Sequence, residues 1–315
     1  MKAISVAAAL AAAILAVPPA AHASTGTSRQ LVEWVAMGDS YTAGAIRAAG
    51  EEFESPRDGC VRTDRSYPEV LRAALASQYT LRNVSCGGAT IADIAERGQV
   101  PKGLHFPPLH TDPDHPFAPV APQIQEAGPE TGLITIGIGG NTLGFGEIIR
   151  TCVKLGLKSA GRGSPCRDHY RAEMARRLKD LAVQYDRMLT ALHQRARNAR
   201  IITVGYPHIV PEDTGKCVYG SPVGFATVTK GDLAWLRTNA LEPLNDVIAK
   251  TTANHGDTYV DLYASSAGHT VCDKLTGPNW VEGMLDTRGR PALVHPNAAG
   301  HANAARLLER AIVGL

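Results

Sequence analysis

Five short apolar runs, at 31–37, 79–84, 133–138, 200–205 and 258–262, set the terms on which this chain can fold. Each has the length of a strand, and each is followed, after a turn or loop, by residues whose apolar positions return at helical spacing. Those helical stretches are 67–77, 91–97, 142–151, 168–196, 232–255 and 296–308. Strands joined through helices pair in parallel, because the helix carries the chain back to the edge it left. Near-continuous apolar strands are buried on both faces, so helices must cover the sheet from both sides. The expected fold is α/β: a three-layer, flavodoxin-like α/β/α arrangement around a parallel sheet of about five strands in the order 2-1-3-4-5. Hydrophobic residues make up 44% of the chain, which suffices for such a core.

The first residues stand apart from this pattern. Lys2 precedes an Ala-rich apolar run to Val17, followed by Pro18-Pro19 and Ala21-His22-Ala23. A charged start, a short apolar stretch and an A-x-A site read as an export signal spanning residues 1–23, and so as a secreted protein. Removing 23 of the 315 residues leaves 292, read as a single domain over 24–315, since no linker or repeat divides them. A net charge of +2, with no basic block and no interleaving of basic and aromatic residues, speaks against nucleic acid as a partner.

Six cysteines follow the signal, at 60, 86, 152, 166, 217 and 272. An oxidising destination favours disulfides, and the absence of any C-x-x-C pair disfavours a zinc or redox motif. Spacing alone leaves the pairing open. The sequential set Cys60–Cys86, Cys152–Cys166 and Cys217–Cys272 is preferred because each loop it closes is modest.

The first apolar run breaks into Gly38-Asp39-Ser40-Tyr41-Thr42-Ala43-Gly44. A Ser at the carboxyl end of a strand lies where ligands bind in open α/β sheets. Gly-Asp-Ser is also an ordinary turn sequence, so the reading depends on further parts. Acyl transfer needs a base for the Ser hydroxyl and donors for the oxyanion. Glycine turns follow two more runs, Cys86-Gly87-Gly88-Ala89-Thr90 and Gly139-Gly140-Asn141, and Val294-His295-Pro296-Asn297 precedes the last helix. The irregular stretch 98–122 is rich in Pro and His and reads as a lip beside a site. His105, His110 and His115 recur there without a Cys or Glu beside them, and read as solvated loop residues; no metal and no cofactor is expected.

These blocks, in this order along nearly the whole chain after the signal, resemble those of the SGNH hydrolases, also called GDSL lipases and esterases, and most closely their secreted bacterial lipase and phospholipase members. The resemblance implies an α/β/α fold and a carboxylic ester hydrolase. By the same resemblance Ser40 is the nucleophile, His295 the base, and the N–H groups of Ser40 and Gly88 with the Asn141 amide form the oxyanion hole. The six-cysteine layout resembles that of the secreted members and supports the sequential pairing. One position departs from the family: Ala292 stands three residues before His295, where an Asp is usual. The backbone carbonyl of Ala292 or Leu293 is then expected to orient the imidazole, with Asp286 the nearest carboxylate upstream.

The expected substrate is a lipid or small acyl ester, taken by a monomer with at most transient contact with a lipid surface. The modestly apolar loop Leu104-His105-Phe106-Pro107-Pro108-Leu109 inclines the reading toward lipid. The alternatives are a carbohydrate acetylesterase, which would need aromatic and polar sugar contacts, and a non-catalytic binding protein on the same fold, whose only support is the missing Asp.

Overall fold

A computed structural model of the chain describes Met1 and residues 30–108, 110–273 and 277–314. The expected export signal and its cleavage site, and Leu109 of the apolar loop, lie outside the described residues. The five runs form five parallel strands: β1 (Val32–Gly38), β2 (Tyr79–Asn83), β3 (Thr131–Gly137), β4 (Arg200–Val204) and β5 (Thr258–Val260). Their spatial order is β2-β1-β3-β4-β5, the expected one, with the crossing point between β1 and β3.

Strand periodicity divides the core in two. Val35, Met37, Ile134, Ile136 and Ile201 face one side, packed under α3 (Ile91–Ala95), α7 (Met174–Arg195) and α9 (Glu242–Asn254). Trp34, Ala36, Leu133, Ile202, Val204 and Val260 face the other, under α2 (Tyr67–Ala74) and the last helix, α10 (Ala298–Val313). Trp34 is fully buried, and its indole N–H donates to Thr135 Oγ1 at 3.0 Å, so the polar end of the ring is satisfied.

Several expected helices are broken, each at an identifiable place. Residues 142–151 are divided by Gly144, whose φ of 87° ends α4 (Gly140–Leu143) before α5 (Phe145–Lys158) starts. The stretch 168–196 splits into α6 (Pro165–Tyr170) and α7. The stretch 232–255 becomes α8 (Lys230–Leu236), a π-helical segment (Arg237–Leu241) and α9. Pro243 explains that break, because it lacks the N–H that would continue the i→i−4 ladder. Ser66 precedes α2, and its side chain makes no capping bond. The last helix runs five residues past its expected end, to Val313. Cys60–Cys86, Cys152–Cys166 and Cys217–Cys272 are bonded, with Cα separations of 4.2, 4.9 and 5.1 Å.

Candidate active site

Ser40 opens α1 (Ser40–Ala43), a single helical turn at the carboxyl end of β1. Asp39 caps that turn by accepting from Tyr41 N–H at 2.9 Å. The bend behind it requires glycine: Gly38 has φ 149°, and a Cβ there would lie 2.1 Å from Thr42 Oγ1 and 2.5 Å from the Gly137 carbonyl. Gln123 spans the same glycine, accepting from its N–H at 2.8 Å and donating to its carbonyl at 2.9 Å.

His295 reaches Ser40 from the other end of the sequence, with Nε2 2.7 Å from Ser40 Oγ. Its Nδ1 lies 3.0 Å from the Ala292 carbonyl and 2.9 Å from that of Leu293. Two carbonyls can only accept, so the Nδ1 position carries the proton. Nε2 is then the lone-pair nitrogen that faces the hydroxyl. Asp286 does not touch this imidazole. Its carboxylate accepts from the N–H groups of Arg288 and Arg290, each at 2.9 Å, and from Arg290 Nε at 2.7 Å, closing a turn before the His segment.

The loop that aims both carbonyls is strained. Leu293 and Val294 have φ of 50° and 65°, a region that a β-branched Val rarely adopts. Several bonds hold it there. Ala292 and Leu293 N–H both donate to the Met284 carbonyl at 3.0 Å, and Val294 N–H donates to that of Gly283 at 2.9 Å. The Tyr41 hydroxyl donates to the Val294 carbonyl at 2.5 Å, and its ring packs against the imidazole with centroids 4.7 Å apart. The residue after the nucleophile thus anchors the base loop. His295 is half-buried, and burial lowers its pKa to about 4, against the opposing pull of the Leu293 and Ala292 carbonyls.

The three strand-end turns are tied to one another. Asp39 N–H donates to the Gly137 carbonyl at 3.0 Å and Cys86 N–H to that of Gly38 at 3.0 Å. Asn141 Nδ2 donates to the Ala89 carbonyl at 2.9 Å, and Ile91 N–H to Thr142 Oγ1 at 2.9 Å. The Cys60–Cys86 bridge fixes the start of the Gly88 turn. Gly88 itself is exposed with φ 79°, and nothing lies within 4 Å of where its Cβ would be. Glycine is required there by the backbone turn rather than by crowding. Among the described residues, neither Ser40 N–H nor Gly88 N–H has a hydrogen-bond acceptor. Such donors are available to a developing oxyanion.

Tyr206, the second residue past β4, completes the brace. Its buried hydroxyl donates to Asp39 Oδ2 at 2.5 Å and accepts from Gly140 N–H at 2.7 Å, linking the Ser40 turn to the Asn141 turn. Burial raises the pKa of Asp39 to about 6, although bonds from Tyr206 and from Tyr41 N–H pull it down. Tyr41 lies in a motif and could have been singled out from it. Tyr206 carries no sequence signal beyond its place just past a strand's carboxyl end.

The loop histidines lie in a separate arrangement. The rings of His105 and His115 stack with centroids 4.1 Å apart, and His110 Nδ1 lies 2.6 Å from the Leu104 carbonyl. No group of three or more His, Cys, Asp or Glu among the described residues is placed to hold a metal.

Comparison with known proteins identifies the family. The sequence profile of the GDSL-like Lipase/Acylhydrolase family matches residues 36–302. A Streptomyces coelicolor protein named Lipase 2 is 32% identical over 286 residues, covering 89% of this chain and 85% of that protein. A Streptomyces scabiei protein named Esterase is 30% identical, over 85% of this chain and 82% of that one. The crystal structure of phospholipase A1 from Streptomyces albidoflavus superposes with a TM-score of 0.66 at 25% identity, covering 89% of this chain and 99% of that one. With the profile spanning most of its length and the fold and strand-end turns in place, this chain belongs to the GDSL-like lipase/acylhydrolase family.

Proposed function

We propose that the chain is a secreted serine ester hydrolase of lipids or small acyl esters, working through a Ser40–His295 dyad and an acyl-enzyme. The observation that carries this reading is the imidazole itself: one nitrogen lies 2.7 Å from Ser40 Oγ while two backbone carbonyls hold the other. Ser40 Oγ attacks the acyl carbonyl as its proton passes to His295 Nε2. The N–H groups of Ser40 and Gly88 and the free N–H of the Asn141 amide take up the oxyanion. Losing one such donor costs about a hundred- to a thousandfold in turnover. Collapse of the tetrahedral intermediate expels the alcohol, which receives the proton from Nε2. Water then repeats the sequence on the acyl-enzyme, releasing the acid and restoring Ser40.

No carboxylate takes part. Nδ1–H stays bonded to the Ala292 and Leu293 carbonyls throughout, which fixes the tautomer without supplying a full charge to the imidazolium. The names of the relatives, Lipase 2 and Esterase, and of the structural neighbour, phospholipase A1, support acyl esters of lipids as the substrate class. Export is supported by the leader-like first residues, and no helix among the described residues is long and apolar enough to cross a membrane. The chain is read as acting alone, without metal or cofactor. The test is a panel of p-nitrophenyl esters of rising chain length, phosphatidylcholine and acetylated xylan. Hydrolysis of the first two is expected, and release of acetate from xylan alone would overturn the reading.

A further inference from the structure

α5 and the turn after it carry a one-sided charge. Between Glu147 and Asp168 the chain has Arg150, Lys154, Lys158, Arg162 and Arg167 and no acidic residue. Arg150, Lys154 and Lys158 recur at spacing four, so they share one helix face, and all three are exposed. Arg167 pairs with Asp168, but none of the other four meets a carboxylate among the described residues. Like charges at i,i+4 destabilise a helix, so the stripe works against the fold that carries it.

Exposed apolar side chains occur on α5 and on the loop that packs against its end. Leu157 is 65% exposed and, two helical turns beyond Arg150, lies on the same face of α5. Val218 and Tyr219, 69% and 39% exposed, come from the loop after β4. Tyr219 is fixed on the end of α5: its hydroxyl donates to the Gly156 carbonyl at 3.1 Å, and its ring lies 3.1 Å from where a Gly161 Cβ would be. Thr227 Oγ1 donates to the Val153 carbonyl at 2.6 Å, and the Cys217–Cys272 bridge tethers the same loop. Both segments leave the sheet at the carboxyl ends of β3 and β4, the end that carries Ser40.

We infer that Arg150, Lys154, Lys158 and Arg162, with Leu157, Val218 and Tyr219, form a docking surface for an anionic lipid surface. The cations are drawn to the headgroups, and the apolar tips enter the boundary beneath them. A soluble polyanion would use the charges and leave Leu157 and Val218 without a role, which is why lipid fits better. The inference deepens the proposed function, on whose lipid substrate it rests.

The test measures partition and catalysis separately. The secreted protein, free of the export signal, is sedimented with vesicles of phosphatidylcholine alone and with vesicles containing roughly a third phosphatidylglycerol. Binding should strengthen at least tenfold with the anionic lipid and weaken with salt. The triple variant R150Q/K154Q/K158Q should lose at least tenfold in partition to anionic vesicles, and L157S/V218S should lose severalfold, with hydrolysis of soluble p-nitrophenyl butyrate unchanged in both. Partition of either variant equal to that of the parent would overturn the inference. So would binding of heparin as tight as binding of vesicles, or self-association without vesicles that the same substitutions abolish. If the parent binds anionic vesicles but hydrolyses no ester, the proposed function fails and the docking surface stands. If it hydrolyses soluble esters but ignores vesicles, the reverse holds.

Discussion

Replacing Asp286 by Asn separates a dyad oriented by backbone carbonyls from a triad that borrows a carboxylate. The carboxylate receives two backbone N–H bonds of 2.9 Å on Oδ1 and the Arg290 guanidinium at 2.7 Å on Oδ2. Asn keeps an acceptor for the two amides and loses the charge opposite Arg290. Weakening the two amide bonds and losing the one to Arg290, whose side chain is 36% exposed and partly screened, costs about 1–2 kcal/mol. In a chain of this length that lowers Tm by roughly 2–6 °C. The pH dependence has a definite sign. Burial alone would raise the Asp286 pKa from 3.8, but the Arg290 and Arg288 amides and the Arg290 guanidinium hold it lower overall. A depressed folded pKa gives stability that is present above the unfolded value and lost as pH falls through the folded one. The Tm gap between parent and variant is therefore full at neutral pH and closes in acid below about pH 4. Turnover behaves differently, because Asp286 makes no bond to His295. At pH 7, well below the variant's Tm, kcat/KM for a soluble p-nitrophenyl ester should fall less than roughly tenfold, against about four orders of magnitude for the Asp-to-Asn change in a full triad. A thousandfold loss in folded variant would refute the reasoning and require the 286–294 segment to deliver its carboxylate to Nδ1.

Tyr206→Phe leaves Asp39 Oδ2 and Gly140 N–H without their shared partner, a loss of about 1–3 kcal/mol. If Tyr206 sets the spacing of the nucleophile and oxyanion turns, kcat falls about ten- to hundredfold with KM held; an unchanged kcat contradicts that role. The acid limb of kcat/KM should lie well below the ordinary imidazole value of 6.5, toward 4, because burial keeps His295 neutral and only the neutral ring can take the Ser40 proton. An apparent pKa of 6.5 or above in the acid limb would mean that the loop does not bury the base. Thiol titration of denatured, unreduced protein should find no free thiol, as all six cysteines are bonded.

The sheet was legible because each apolar run is bounded by a glycine or polar turn and has the length of a strand, so order and direction follow from few rules. Helix limits were not, since Gly144 in a left-handed turn and Pro243 at the start of α9 interrupt patterns whose periodicity continues across them. Ser40, Gly88, Asn141 and His295 sit at strand or helix ends, where sequence blocks mark them. The residues that hold them do not. Nothing in Leu293-Val294 announces two left-handed residues, because neither is a glycine or asparagine. The strain is sustained by partners outside the segment, Met284 in the turn before it and Tyr41 near the other end of the chain. The basic stripe on α5 is not a contiguous charge run in the sequence, because its members stand four residues apart and meet only on a helix.

The most direct measurement is covalent. Intact mass and peptide mapping after brief exposure to a fluorophosphonate should show one adduct, on Ser40. Ser40→Ala should show none, His295→Ala should label slowly, and the double variant should hydrolyse esters hardly worse than either single one, since the two groups act as a unit. Labelling of folded Ser40→Ala at the parent's rate, or ester hydrolysis by it at the parent's turnover, would contradict the account.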